Sequence, residues 1–65
     1  MEDSASLLNE REAARRIACS VALMRKWRLF GEGPTYCKIG RLVRYRQSDI
    51  DAFLEAHRVE TGGGR

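Results

Sequence analysis

The stretch Ser20-Val21-Ala22-Leu23-Met24-Arg25-Lys26-Trp27-Arg28-Leu29-Phe30-Gly31 constrains this chain most. The Ser20 hydroxyl can accept a backbone N–H of a first helical turn. Gly31 can take the left-handed conformation that closes a helix. Between them the spacing predicts one helix of about three turns. At 100° per residue, Leu23, Met24 and Trp27 fall on one side, and Ala22, Arg25, Lys26 and Leu29 on the opposite side. One face can enter a core. The other presents two cations beside a small residue.

What flanks that helix sets its context. Upstream, Asn9 can cap a helix from Glu10 to about Ala18, with Glu12 placed to reach back to the Asn9 N–H in a capping box. Leu8 can staple against Ala13. Ala13, Ala14 and Ile17 face inward, and Arg11, Arg15 and Arg16 outward. Ala18-Cys19-Ser20 is then a tight link between two short helices, a helix-turn-helix pattern. Ala18 stands where glycine would serve a left-handed turn residue, so a strained or slightly altered turn is expected.

Downstream, Glu32-Gly33-Pro34 is a break. Thr35–Ile39 and Leu42–Arg46 flank Gly40-Arg41 and read as a hairpin. Cys37, Ile39, Val43 and Tyr45 are apolar and odd-numbered, while Lys38, Arg44 and Arg46 are basic and even-numbered. Pairing Ile39 with Val43 across a three-residue loop would put all the apolar residues on one face and the cations on the other. That register is the expectation from side-chain alternation. A two-residue loop at Gly40-Arg41 would pair Ile39 with Leu42 instead. Ser48 is the expected cap of a last helix, with Asp49 and Asp51 complementing its positive end. Ile50, Phe53, Leu54 and His57 follow helical spacing. Trp27, Tyr36, Tyr45 and Phe53 are the expected aromatic core.

Charge follows the same division. The chain has 65 residues and a net charge of +3. Glu2, Asp3 and Glu10 make the beginning acidic, and Asp49, Asp51, Glu55 and Glu60 outweigh Arg58 and Arg65 at the end. Ten Lys and Arg crowd residues 11–46 against Glu12 and Glu32. A localised basic patch points to an anionic partner, nucleic acid first and an acidic protein surface second. There is no run of apolar residues long enough for a membrane span and no signal-peptide pattern, so a cytoplasmic protein is expected, nucleoid-associated where the anionic partner is DNA. Cys19, Cys37 and His57 are isolated and lack finger-like spacing, so neither metal nor cofactor is expected. No catalytic constellation is visible, which argues against an enzyme and a small-molecule substrate.

Taken in order, the chain reads helix, turn, capped basic helix, basic hairpin, short helix. It resembles the winged helix-turn-helix domain of the MerR-like superfamily. More closely, it resembles the small excisionase and AlpA-like DNA-binding proteins of phages and integrated elements. The residues carrying the resemblance are Leu8-Asn9-Glu10-Arg11-Glu12-Ala13-Ala14, Trp27-Arg28 with Gly31-Glu32-Gly33-Pro34, Tyr36 to Arg46, and Gln47-Ser48-Asp49-Ile50-Asp51-Ala52-Phe53-Leu54. It implies a mostly α fold with a small β-hairpin: three helices and a two-stranded wing over residues 7–57, between tails at 1–6 and 58–65. It implies sequence-specific binding to double-stranded DNA. It also implies the role of an excisionase, a recombination directionality factor that bends an attachment site so that an integrase excises the element. An AlpA-like transcriptional regulator is the alternative within DNA binding, and an anti-repressor gripping an acidic protein is the alternative outside it.

On such a fold an α-helix enters the major groove and presents its outer face to base edges. Arg25 and Lys26 are the candidate base readers, with guanine O6 and N7 as acceptors. Ala22 is small enough for close approach or contact with a thymine methyl. Ser20 at the helix start and Arg28 between the faces suit phosphates. Lys38, Arg41, Arg44 and Arg46 are the candidate wing contacts, to phosphate or to the minor groove. Arg15 and Arg16 suit either phosphate or solvent. One such domain covers few base pairs, so further copies on the same DNA are expected partners.

Overall fold

Asn9 starts the first helix as its sequence dictates. The Asn9 side chain accepts the Glu12 N–H at 2.8 Å, and the Glu12 carboxylate accepts the Asn9 N–H at 2.9 Å, so both arms of the capping box are formed. The computed structural model describes residues 7–61; the expected tail at 1–6, and residues 62–65 of the one expected at 58–65, lie outside them. The elements run β1 (Leu7–Leu8), α1 (Glu10–Ile17), α2 (Val21–Leu29), β2 (Cys37–Ile39), β3 (Leu42–Arg46) and α3 (Gln47–Ala56). This is a winged helix-turn-helix. Among the described residues no helix is long and apolar enough to cross a membrane.

The turn between α1 and α2 carries the strain its sequence foreshadows. Ala18 ends α1 in the left-handed region, φ 67° and ψ 44°. Its N–H bonds to Arg15 C=O at 3.1 Å, and the Cys19 N–H bonds to Ala14 C=O at 2.9 Å. Those bonds satisfy carbonyls that the helix end leaves open. A Cβ in that region costs roughly 1–2 kcal/mol, of which glycine's greater freedom in the unfolded chain takes back a part. Ala18→Gly should therefore stabilise the domain by about 1 kcal/mol, raising the melting temperature by several degrees. A lower melting temperature would show that Ala18 is relaxed in solution.

Ser20 then caps α2, accepting the Leu23 N–H at 3.0 Å. At the other end Glu32 N–H reaches Trp27 C=O at 2.7 Å and Gly31 N–H reaches Arg28 C=O at 3.3 Å. This is the Schellman pattern, with Gly31 left-handed at φ 70°.

The core is small. Leu8, Ala13, Ala14, Met24, Tyr45 and Ile50 are buried, and Ile17, Val21, Trp27 and Val43 pack on them. Ala13 and Ala14 are short, so α2 and α3 both pack closely on α1. Tyr36, expected in this core, is 37 % exposed and only edges it, with its ring 5.9 Å from that of Tyr45. Leu54 is also largely exposed, because α3 buries a narrow stripe centred on Ile50.

Three features of the sheet and of α3 differ from the sequence reading. First, the sheet has three strands in the order β1-β3-β2, since Leu7 pairs with Arg46 and Leu8 with Tyr45. The wing is thus anchored along one edge by the start of the described chain. Second, the hairpin turns through two residues, so Ile39 pairs with Leu42, Lys38 with Val43 and Cys37 with Arg44. Gly40 at φ 61° opens the loop, the glycine-first pattern of a II′ turn whose twist matches the strands. Turn chemistry at Gly40-Arg41 outweighs segregation of faces, because only Val43 and Tyr45 need burial. The cations are consequently split. Lys38 shares a face with Val43 and Tyr45, while Arg44 and Arg46 share the other with Cys37, Ile39 and Leu42. Third, α3 begins at Gln47, with Arg46 at the cap position and no side-chain cap bond. Ser48 lies inside the first turn, because β3 runs straight into the helix. Gln47 ties the junction instead: its amide oxygen accepts from Arg16 of α1, and its amide N–H₂ donates to Asp51 at 2.8 Å.

Candidate nucleic-acid interface

The capped α2 exposes the face its periodicity assigns outward: Ala22, Arg25, Lys26 and Leu29 are all exposed. The hairpin stands beside this helix, and two adjoining open hollows of about 480 and 450 Å³ lie between them. Arg11, Arg25, Arg28, Arg41 and Arg44 line the first. Arg25, Arg28, Arg41 and Lys38 line the second. Together they form a cationic cleft with α2 on one wall and the wing on the other. Lys38 lines it from the face of Val43, and Arg44 from the opposite face of the ribbon. Arg41 sits at the hairpin turn, as expected.

The other candidates lie apart. Ala22 and Lys26 continue the outer face of α2 outside the hollows. The Ser20 hydroxyl is already engaged in capping. Arg46 is exposed where β3 meets α3. Arg15 and Arg16 are exposed on α1, with Arg16 held by Gln47.

Arg28 differs most from its expected setting. Its side chain is only 18 % exposed. Nη1 donates to the Tyr45 hydroxyl at 2.9 Å, Nη2 donates to Glu10 at 3.1 Å, and the guanidinium lies 5.8 Å from the Tyr36 ring centre. Burial works against its charge, and the bonds to Tyr45 and Glu10 more than offset this, so its pKa stays raised. Position on α2 places Arg28 between two faces; the tertiary fold turns it inward.

Glu10 is the residue that sequence reasoning missed. Its carboxylate accepts from Arg25 Nη2 at 2.6 Å and from Arg25 Nε at 3.2 Å, besides the bond from Arg28. The Arg25 hydrogen bonds, aided by Arg28 and opposed by burial, hold its pKa below the usual carboxylate value. In sequence Glu10 is an ordinary acid in a first helical turn, where it complements the helix dipole. Nothing in local spacing links it to arginines one helix away. Arg11, the other missed charge in the lining, is visible only as an outward cation on α1.

The sulfur and imidazole groups do not gather. Cys19 and Cys37 are free thiols, and burial raises the pKa of Cys19. The His57 ring stacks 4.2 Å from Phe53, with Nδ1 2.8 Å from the Phe53 carbonyl oxygen.

Comparison with known proteins agrees with this geometry. A family described as "Helix-turn-helix domain" matches residues 7–58, four-fifths of the chain and every element above. No curated protein matches the chain significantly.

Proposed function

The chain belongs to the helix-turn-helix domain family, and from that premise we propose that it is a sequence-selective, architectural DNA-binding protein, an excisionase acting beside an integrase. The cationic cleft between the exposed face of α2 and the wing carries this reading. With α2 in the major groove, Ala22, Arg25 and Lys26 face base edges. A phosphate backbone then runs along the cleft, within reach of Lys38, Arg41 and Arg44, and Ser20 and Arg46 meet phosphates outside it. Arg28 adds its charge from the cleft floor. The protein acts in the cytoplasm, on nucleoid DNA.

The wing supplies affinity rather than sequence choice. Arg41→Ala and Arg44→Ala should each weaken binding to every duplex and flatten the salt dependence by about one unit of slope. Unchanged affinity in both variants would reduce the hairpin to a structural element.

Architecture requires several copies on one site. One three-turn helix with one wing covers too few base pairs to find a single genomic site unaided. Leu29, 78 % exposed on the outer face of α2, and Ile39 and Leu42 beside the wing turn offer apolar contact between neighbours on DNA. The test is titration and footprinting of the DNA flanking the protein's own gene, with and without the cognate integrase. Cooperative filling of repeated half-sites and a bent product are expected. A single, non-cooperative complex on unbent DNA would put the transcriptional regulator ahead. Absence of duplex binding even at low salt would favour the protein-binding module.

A further inference from the structure

A carboxylate in the wall of a DNA-binding cleft needs a reason, because it opposes the phosphates that the surrounding cations attract. Glu10 is the one acidic side chain among the described residues that line the two hollows. We propose that Glu10 is a positioning residue for base readout: it grips one edge of Arg25 so that the other edge is presented as a ready fork for guanine. This rests on the reading of Arg25 as a base contact.

The donor count supports it. A guanidinium has five N–H donors in a fixed plane. Glu10 takes Nε–H and one Nη2–H, at 3.2 and 2.6 Å. Two Nη1–H groups and the second Nη2–H remain. One from each nitrogen points along the end of the side chain, in the parallel pair that meets O6 and N7 of guanine. The Arg25 side chain is 64 % exposed, so this end is open to a ligand.

The grip is itself held from the core. Tyr45, 1 % exposed, accepts from Arg28 at 2.9 Å; Arg28 donates to Glu10 at 3.1 Å; Glu10 holds Arg25. Side-chain exposure rises along that series, from 18 % at Arg28 through 24 % at Glu10 to 64 % at Arg25. The Arg58 pairs with Glu55 and Glu60 make the contrast, since all three side chains there are at least 59 % exposed and nothing among the described residues fixes either end. Such pairs order little. A loose arginine gives up rotamer freedom on docking and can settle on a phosphate or a base. A held arginine has given up that freedom already and meets only an acceptor pair in the right place.

The experiment reads discrimination rather than affinity. Duplexes are selected from a randomised pool with the wild-type protein, and the best is remade with each selected G·C pair changed in turn to A·T. The ratio of dissociation constants for the two duplexes is independent of the folded fraction, so a destabilised variant still gives a valid ratio. Arg25→Ala should abolish the ratio at one G·C pair. Glu10→Ala should lower the ratio at that same pair by about three- to tenfold, with Glu10→Gln in between, and neither should change it further in the Arg25→Ala background. If Glu10→Ala strengthened both duplexes by one factor and left the ratio intact, Glu10 would be a mere counter-charge and the proposal would fall. If Arg25→Ala kept the wild-type ratio at every pair, the assignment of Arg25 as a base reader would fall first, and this proposal with it. A wild-type protein that enriches no sequence would overturn sequence selectivity altogether.

Discussion

Trp27→Ala is expected to leave the domain largely unfolded at ambient temperature. Trp27 is half-buried, yet it joins three parts of the chain. Its ring packs on Phe53 of α3 at 5.3 Å between centroids. Gly33 lies so close beneath it that a Cβ there would come within 2.8 Å of the Trp27 Cβ. Its carbonyl accepts the Glu32 N–H that closes α2. Truncating a buried tryptophan costs about 3–5 kcal/mol, and partial exposure puts this one near the lower end. A core of this size rarely supplies more than about 3–5 kcal/mol in total. Far-UV circular dichroism during a thermal melt checks the outcome. A cooperative transition within a few degrees of wild type would mean that α3 does not depend on this contact.

Arg25→Ala should produce the largest change in recognition. Loss of a bidentate contact to guanine costs about 1–3 kcal/mol on the preferred duplex. Binding to unrelated duplexes should change little, because the cations of the wing and cleft remain. Competition binding with preferred and unrelated duplexes at fixed salt separates these effects. A uniform loss across all sequences, with a flatter salt slope, would identify Arg25 as a phosphate contact.

What was legible in the sequence was what neighbouring residues decide among themselves. Asn9 with Glu12, Ser20 with Leu23, and Gly31 after Phe30 are cap signatures completed within a few positions. The outward set Ala22, Arg25, Lys26 and Leu29 follows from helical geometry alone. The left-handed Ala18 was visible as a glycine that is missing. Pairing of Leu7 and Leu8 with β3 was not legible, because two residues carry no periodicity and their partners lie far along the chain. The wing register failed for a different reason: alternation and turn chemistry disagreed, and the turn prevailed. Ser48 misled because a helix that continues directly from a strand needs no separate cap residue. The Glu10 network, which joins α1 to two turns of α2 and to β3, exists only once the elements have packed.

The sheet order also bears on how the polypeptide comes to be folded during synthesis. Leu8 belongs to the core and pairs with Tyr45, almost at the far end of the wing. A nascent chain that has emerged only through α2 has both helices of the helix-turn-helix but neither the strand that covers Leu8 nor the Ile50 that fills the centre. Isolated helices of eight and nine residues are marginal in water. Closing the loop between β1 and β3 costs entropy that is recovered only when both ends are present. Completion is therefore an all-or-none event that waits for the wing and α3 to leave the ribosome. A chain held on the ribosome with only its residues through α2 outside the exit tunnel has no reading head, and a protease would find it open.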